Sequence, residues 1–108
     1  MRIFRLPPSA FALPLLPSMS QASTEVVIRN KLGMHARPAM AFVDTACSFQ
    51  ADIRVKKAGQ SVDGKSIMQL MMLAATEDTR LHVVADGSDA QEAVDALSDL
   101  VERRFDEE

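Results

Sequence analysis

The sequence contains no tryptophan and no tyrosine, and its aromatic content is five phenylalanines. A nucleic-acid surface built on base stacking would have almost nothing to stack with. Net charge is −3 and no block of like charge is present, which also argues against nucleic acid as a partner. The single cysteine, Cys47, excludes an internal disulfide framework and fits a reducing, cytoplasmic setting. No C-x-x-C occurs, and neither Cys47 nor His82 has a second ligand at metal spacing, so no metal site is expected. No apolar run is long enough to span a bilayer. Acidic residues are missing from the first 22 positions, which instead hold Pro7, Pro8, Pro14 and Pro17 of the five prolines.

That difference divides the chain. Arg2, Arg5 and the stretch Phe11-Ala12-Leu13-Pro14-Leu15-Leu16 faintly resemble a signal peptide, but prolines interrupt the apolar part. The reading taken is a disordered extension, or a start codon placed too early, over residues 1–22, with Met19 as the native start. One small domain is expected over residues 23–106.

Within that domain the hydrophobic spacing predicts a strand over 24–30, a helix over 36–47, strands over 51–57 and 60–63, a helix over 66–74, a strand over 80–85 and a helix over 89–104. Asp52-Ile53-Arg54-Val55-Lys56 alternates as a half-buried strand should. Ala90, Ala93, Val94, Leu97, Leu100 and Val101 make an apolar stripe on the last helix. Two capping boxes, Ser66 with Gln69 and Ser88 with Gln91, predict the starts of the second and third helices. The order β-α-β-β-α-β-α with short connections implies an α+β fold whose helices cover one face of a mainly antiparallel sheet. A ferredoxin-like ligand- or RNA-binding module shares this order, although such a module would want aromatics where Gln60-Ser61-Val62-Asp63 has none.

The chemistry concentrates in Gly33-Met34-His35-Ala36-Arg37-Pro38-Ala39, at the passage from the first strand to the first helix. A helix start has unpaired N–H groups and partial positive charge, so it is a natural seat for an anion. Pro38 falls in the first turn, where its missing N–H costs little, and as the residue before it Arg37 is pushed toward the edge of regular helix. An imidazole nucleophile beside a cation at such a place points to a histidine that carries a phosphoryl group.

Together with Gly64-Lys65-Ser66-Ile67-Met68-Gln69-Leu70-Met71, this stretch resembles the histidine-containing phosphocarrier (HPr) family of the bacterial phosphoenolpyruvate-dependent phosphotransferase system. The resemblance runs from about Thr24 to Phe105. It implies an open-faced β-sandwich, a four-stranded antiparallel sheet covered on one face by three helices. It also implies a carrier, not an enzyme, that works without metal or cofactor and as a monomer. Enzyme I would load Nδ1 of His35, Arg37 would steady the phosphate, and A-type enzyme II proteins would accept the group. A nitrogen-regulatory branch of the family fits the same residues. Ser66 explains itself as a helix cap; the resemblance adds regulatory phosphorylation in organisms with the matching serine kinase or phosphorylase. Ile67, Met68, Met71 and Met72 are too many apolar positions for one short helix to bury while Leu70 and Leu73 face the sheet, and exposed methionines make an adaptable docking surface. The resemblance assigns Ile67, Met68 and Met71 to partner contact. His82 is expected half-exposed, Cys47 semi-buried, Asp44, Asp63 and Asp78 ordinary surface charges, and Asp106-Glu107-Glu108 a solvated, fraying end.

Overall fold

The computed structural model describes residues 20–107, so what was expected of residues 1–19, including the signal-like stretch and the Met19 start, lies outside the described residues. Strand β1 runs Gln21–Val27, helix α1 Ala36–Cys47, β2 Asp52–Lys57, β3 Gln60–Asp63, α2 Ile67–Met72, β4 Arg80–Asp86 and α3 Ala90–Glu102. A 3-10 turn, Arg104–Asp106, follows. The four strands form one sheet in the order β1-β4-β2-β3, and every pairing is antiparallel. β1 and β3, which lie side by side in a ferredoxin-like sheet, are here its two edges, so that alternative is set aside.

The period-two pattern decides which face is covered. Ile53, Val55, Val62, Leu81, Val83 and Ala85 point into the core, where they meet Phe42, Leu70, Leu73, Val94, Leu97 and Val101 from the three helices. The opposite face is polar, with Ser23, Glu25, Arg54, Lys56 and His82 exposed. This is the open-faced sandwich expected from the sequence.

Several boundaries moved. β1 begins three residues early, at Gln21, because Gln21, Ala22 and Ser23 pair with Asp86, Ala85 and Val84, a long-range contact that overrides their weak strand preference. Beyond Val27 the chain leaves the regular ladder, held by Ile28 N–H donating to Thr79 O (2.9 Å) and Asp78 N–H donating to Ile28 O (2.7 Å). α2 is confined to Ile67–Met72, since Ala74 turns to φ 52°. Its last carbonyls are met by the Lys57 ammonium, 2.7 Å from Leu73 O, a favourable place for a cation.

Neither capping box closes reciprocally, and only the Ser66 half of the first forms. Ser66 Oγ accepts from Gln69 N–H (3.2 Å), but the Gln69 side chain accepts from Asp63 N–H (2.9 Å) instead of reaching Ser66. At α3 the cap position is Asp89, not Ser88, and Gln91 turns instead to Asp95 (3.0 Å). The Asp89 carboxylate leaves its own helix and accepts from Gln50 N–H (2.8 Å) and Ala51 N–H (2.9 Å), tying the start of α3 to the end of the α1–β2 connection. Those backbone donors, Gln50 foremost, hold its carboxyl below the usual carboxylate range. Cys47 is exposed, not semi-buried, because it sits off the Ala39–Phe42–Ala46 stripe that faces the core. His82 is likewise exposed on the uncovered sheet face.

Candidate functional site

His35 is the N-cap residue of α1, in extended conformation (φ −84°, ψ −168°), and its ring does not cap the helix. Its backbone does the local work: His35 N–H donates to Gly33 O (2.9 Å) and His35 O accepts from Ala39 N–H (3.0 Å). The imidazole is therefore free for other duties. Behind it the Ala36 and Arg37 amides have no partner among the described residues, and Pro38 contributes no N–H to compete. Arg37 is the second residue of α1, inside the regular helix and not just outside it as the following proline led one to expect. Its guanidinium is exposed and forms no ion pair among the described residues.

The loop before His35 is fixed by Gly33. It adopts φ +70°, and a Cβ there would stand 2.3 Å from Ala75 O and 2.8 Å from Thr76 Cα. Only glycine allows the 28–35 segment to lie this close to the segment after α2, where Met34 N–H donates to Ala75 O (2.8 Å).

The partner of the histidine comes from the other end of the chain. His35 Nε2 lies 3.1 Å from Glu107 Oε1, with side chains 37% and 22% exposed. An acceptor at Nε2 places the proton of the neutral ring there and leaves Nδ1 with its lone pair. Nδ1 has no hydrogen-bond partner among the described residues. Glu107 is itself held by Asn30, whose Nδ2 donates to Glu107 Oε1 (3.0 Å) and to Gly33 O (2.7 Å). The hydrogen bond to His35 is the largest influence on the Glu107 carboxyl. The Asn30 hydrogen bond and the Coulombic influence of His35 and Arg37 act the same way, and together they outweigh partial burial and hold it below the usual glutamate range.

The expectation that Asp106-Glu107-Glu108 is a fraying end is thus corrected at Glu107. What seats it is the 3-10 turn, in which Arg104, Phe105 and Asp106 all take positive φ (58°, 55° and 60°) while the Phe105 ring is buried. Neither Glu107 nor Asn30 was found by sequence reasoning. Asn30 is wholly buried, and the sequence offers no local sign of its function. Asp63 also proves more than a surface charge, since its carboxylate accepts from Lys65 N–H (2.9 Å) just before Ser66.

Ser66 caps α2, as expected, and no hydrogen bond joins it to His35 or Arg37; α2 and α1 are linked by packing. Leu70 and Leu73 are buried against the sheet, whereas Ile67, Met68, Met71 and Met72 are exposed, Met68 at 77%. Leu32, just ahead of Gly33, and Met40, one turn into α1, are exposed as well, on the loop and helix that carry His35. Among the described residues no group of three or more His, Cys, Asp or Glu could hold a metal ion. A hollow of about 500 Å³ on the open sheet face, among Asp52, Arg54, Lys56 and Asp86, does not include His35. The histidine stands on an accessible surface, where another protein can reach it.

Over most of its length the chain is similar to known proteins. A family described as "PTS HPr component phosphorylation site" matches residues 22–103. The chain is 49% identical over 84 residues to phosphocarrier protein HPr of Pseudomonas aeruginosa, covering 77% of this chain and 93% of that one. The crystal structure of HPr-C-His from Thermoanaerobacter tengcongensis superposes with a TM-score of 0.78 at 42% identity, covering 81% of this chain and 98% of that one. A structure described as an HPr dimer from the same organism gives 0.65 at 44% identity, covering 76% and 94%.

Proposed function

This chain belongs to the HPr family and is a phosphoryl carrier of the phosphotransferase system; from that premise we propose that Nδ1 of His35 is the atom that carries the phosphoryl group. The observation that carries this reading is the Nε2–Glu107 contact at 3.1 Å, which leaves Nδ1 as the nucleophile. Its lone pair attacks the phosphorus of the donor, and the bond from phosphorus to the donor breaks as the new P–N bond forms. Positive charge then develops on the ring, where the Glu107 carboxylate stabilises it through Nε2–H. The transferred oxygens meet the free amides of Ala36 and Arg37 and the Arg37 guanidinium.

The partners are proteins of the phosphotransferase system. In detail, we assign the donor to enzyme I and the acceptor to A-type enzyme II proteins, docking on Ile67, Met68 and Met71, with Leu32 and Met40 widening the surface. Ser66 is assigned a regulatory phosphorylation, made by a serine kinase and reversed by a phosphorylase. The carrier domain, expected over residues 23–106, takes in Gln21 and Ala22 of β1 and Glu107 as well, and we assign it to the cytoplasm as a monomer. Among the described residues no helix is long and apolar enough to cross a membrane.

Incubation with enzyme I and phosphoenolpyruvate should add one acid-labile phosphoryl group, on His35, as read by mass spectrometry. Equal labelling of wild type and a folded His35→Ala protein would overturn the assignment. Arg37→Ala should keep its fold and transfer roughly 10- to 150-fold more slowly, as expected for loss of a charge-assisted contact in the transition state.

A further inference from the structure

On the flank of the Asn30 loop, Arg29, Lys31, Glu77 and Arg104 line a hollow of about 330 Å³. They come from three separate places: the β1–α1 connection, the α2–β4 connection and the C-terminal 3-10 turn. All four are exposed, and none of them forms an ion pair among the described residues, Glu77 included. Three cations and one carboxylate leave the hollow with a net charge of +2.

Like charges gathered in this way repel one another, and a multiply charged anion relieves that repulsion. Two of the cations are guanidiniums, whose planar forks suit phosphate oxygens better than an ammonium does. We propose that this hollow is a binding site for a small phosphate-bearing anion, a phosphate monoester dianion by charge and size, and that its occupancy is felt at His35. The link is short. Arg104 opens the left-handed turn that ends by presenting Glu107 to His35 Nε2, and Arg29 and Lys31 flank Asn30, which holds the same carboxylate. A ligand that draws Arg104 inward therefore pulls on a turn whose other end is the histidine's partner. The buried Phe105 ring makes the turn move as a unit. This site is separate from the phosphoryl position proposed at Nδ1, which relies on Arg37 and the α1 amides.

The test is a titration of the uniformly 15N-labelled full chain with inorganic phosphate and with glycerol 3-phosphate, against sodium chloride at matched ionic strength. The expected result is saturable shifts at the amides of Arg29, Lys31, Glu77 and Arg104, stronger for the ester. The His35 ring Nε2 resonance should move with the same midpoint. A Lys31→Gln/Arg104→Gln double variant should bind roughly tenfold more weakly, two exposed charge contacts being removed. Shifts that chloride reproduces would overturn the proposal. So would shifts confined to Ala36 and Arg37, an unchanged midpoint in the double variant, or an oligo-glutamate peptide binding more tightly than the ester, which would make this an acidic protein's contact. Site shifts without movement at His35 would overturn the coupling. No enzyme I is present in these measurements, so their failure leaves the His35 assignment standing.

Discussion

Changing Asn30 to Asp alters one atom's identity and little of its shape, yet it should be among the costliest substitutions near the site. The side chain is wholly buried, and both groups facing its amide nitrogen, Gly33 O at 2.7 Å and Glu107 Oε1 at 3.0 Å, are acceptors. A carboxylate has no proton to offer either of them. Loss of the neutral bond is worth about 1 kcal/mol and loss of the charge-assisted one about 1.5–3 kcal/mol, so the missing bonds alone amount to about 2.5–4 kcal/mol. The new carboxylate, itself out of water, then faces the partly exposed Glu107 carboxylate, and burial and repulsion together raise its folded-state pKa above its unfolded value.

The sign of the pH dependence follows. A raised acid pKa in the folded state means that protonation favours folding, so the deficit is largest at neutral pH and shrinks as pH falls through the raised value. Once protonated, the new group regains one O–H donor and can restore one of the two bonds. Asn30→Ala loses both bonds too, but carries no proton and should show a deficit that does not vary in this way.

With neither tryptophan nor tyrosine in the chain, urea unfolding is best followed by far-UV circular dichroism. Wild type, Asn30→Asp and Asn30→Ala would be compared from pH 7.5 to 4.5. A deficit under about 1 kcal/mol at pH 7.5, less than the charge-assisted bond alone, would show that this amide does not bridge the loop to Glu107. A deficit in the Asp variant with no pH dependence would refute the buried-anion argument.

Gly33→Ala places a Cβ 2.3 Å from Ala75 O at φ +70°; the backbone conformation alone costs about 1–2 kcal/mol, so stability and the rate of His35 loading should both fall, and normal values for both would refute the reading. Glu107→Gln should flatten the acid limb of the stability–pH curve. The lowered Glu107 pKa supplies stability that is present above the ordinary glutamate range and lost as pH falls through the folded value, so an unchanged acid limb would place its origin elsewhere. Asp89→Ala should lower the urea midpoint by leaving Gln50 N–H and Ala51 N–H without their acceptor, while enzyme I-dependent loading of the folded protein stays at the wild-type rate. Ser66→Asp should keep its fold, since an acidic group suits a helix N-terminus, yet load more slowly than Ser66→Ala; equal rates would leave Ser66 a cap alone.

The parts of the fold that could be read in the sequence are those with a local cause. Phe42 and Ala46 follow Ala39 at helical spacing and mark α1 at the bounds observed, Ala36–Cys47. The Ser66–Gln69 spacing marks the start of α2, and the alternation Ile53, Val55 marks β2. Gln21 becomes a strand residue through Asp86, 65 positions away, and no short window contains that information. The same holds for the site. His35 and Arg37 stand out because the helix start is written around them. Glu107 reaches His35 across 72 positions and Asn30 across 77. Three consecutive non-glycine residues with positive φ are also contrary to local preference, and they are held there by the burial of Phe105.

That distant carboxylate bears on why a carrier of this kind can release what it accepts. With the phosphoryl group on Nδ1, as proposed, Glu107 acts on the opposite nitrogen, 3.1 Å from Nε2. There it stabilises the ring's positive charge, the form in which the imidazole is the better leaving group. The same negative charge lies on the far side of the ring from a phosphoryl dianion and repels it weakly through space. Against this stand the Ala36 and Arg37 amides and one exposed guanidinium, contacts that water can replace. Attraction at the helix start and repulsion from Glu107 are thus set against each other across one imidazole. The group is held well enough to survive between partners and loosely enough to leave when an acceptor displaces it.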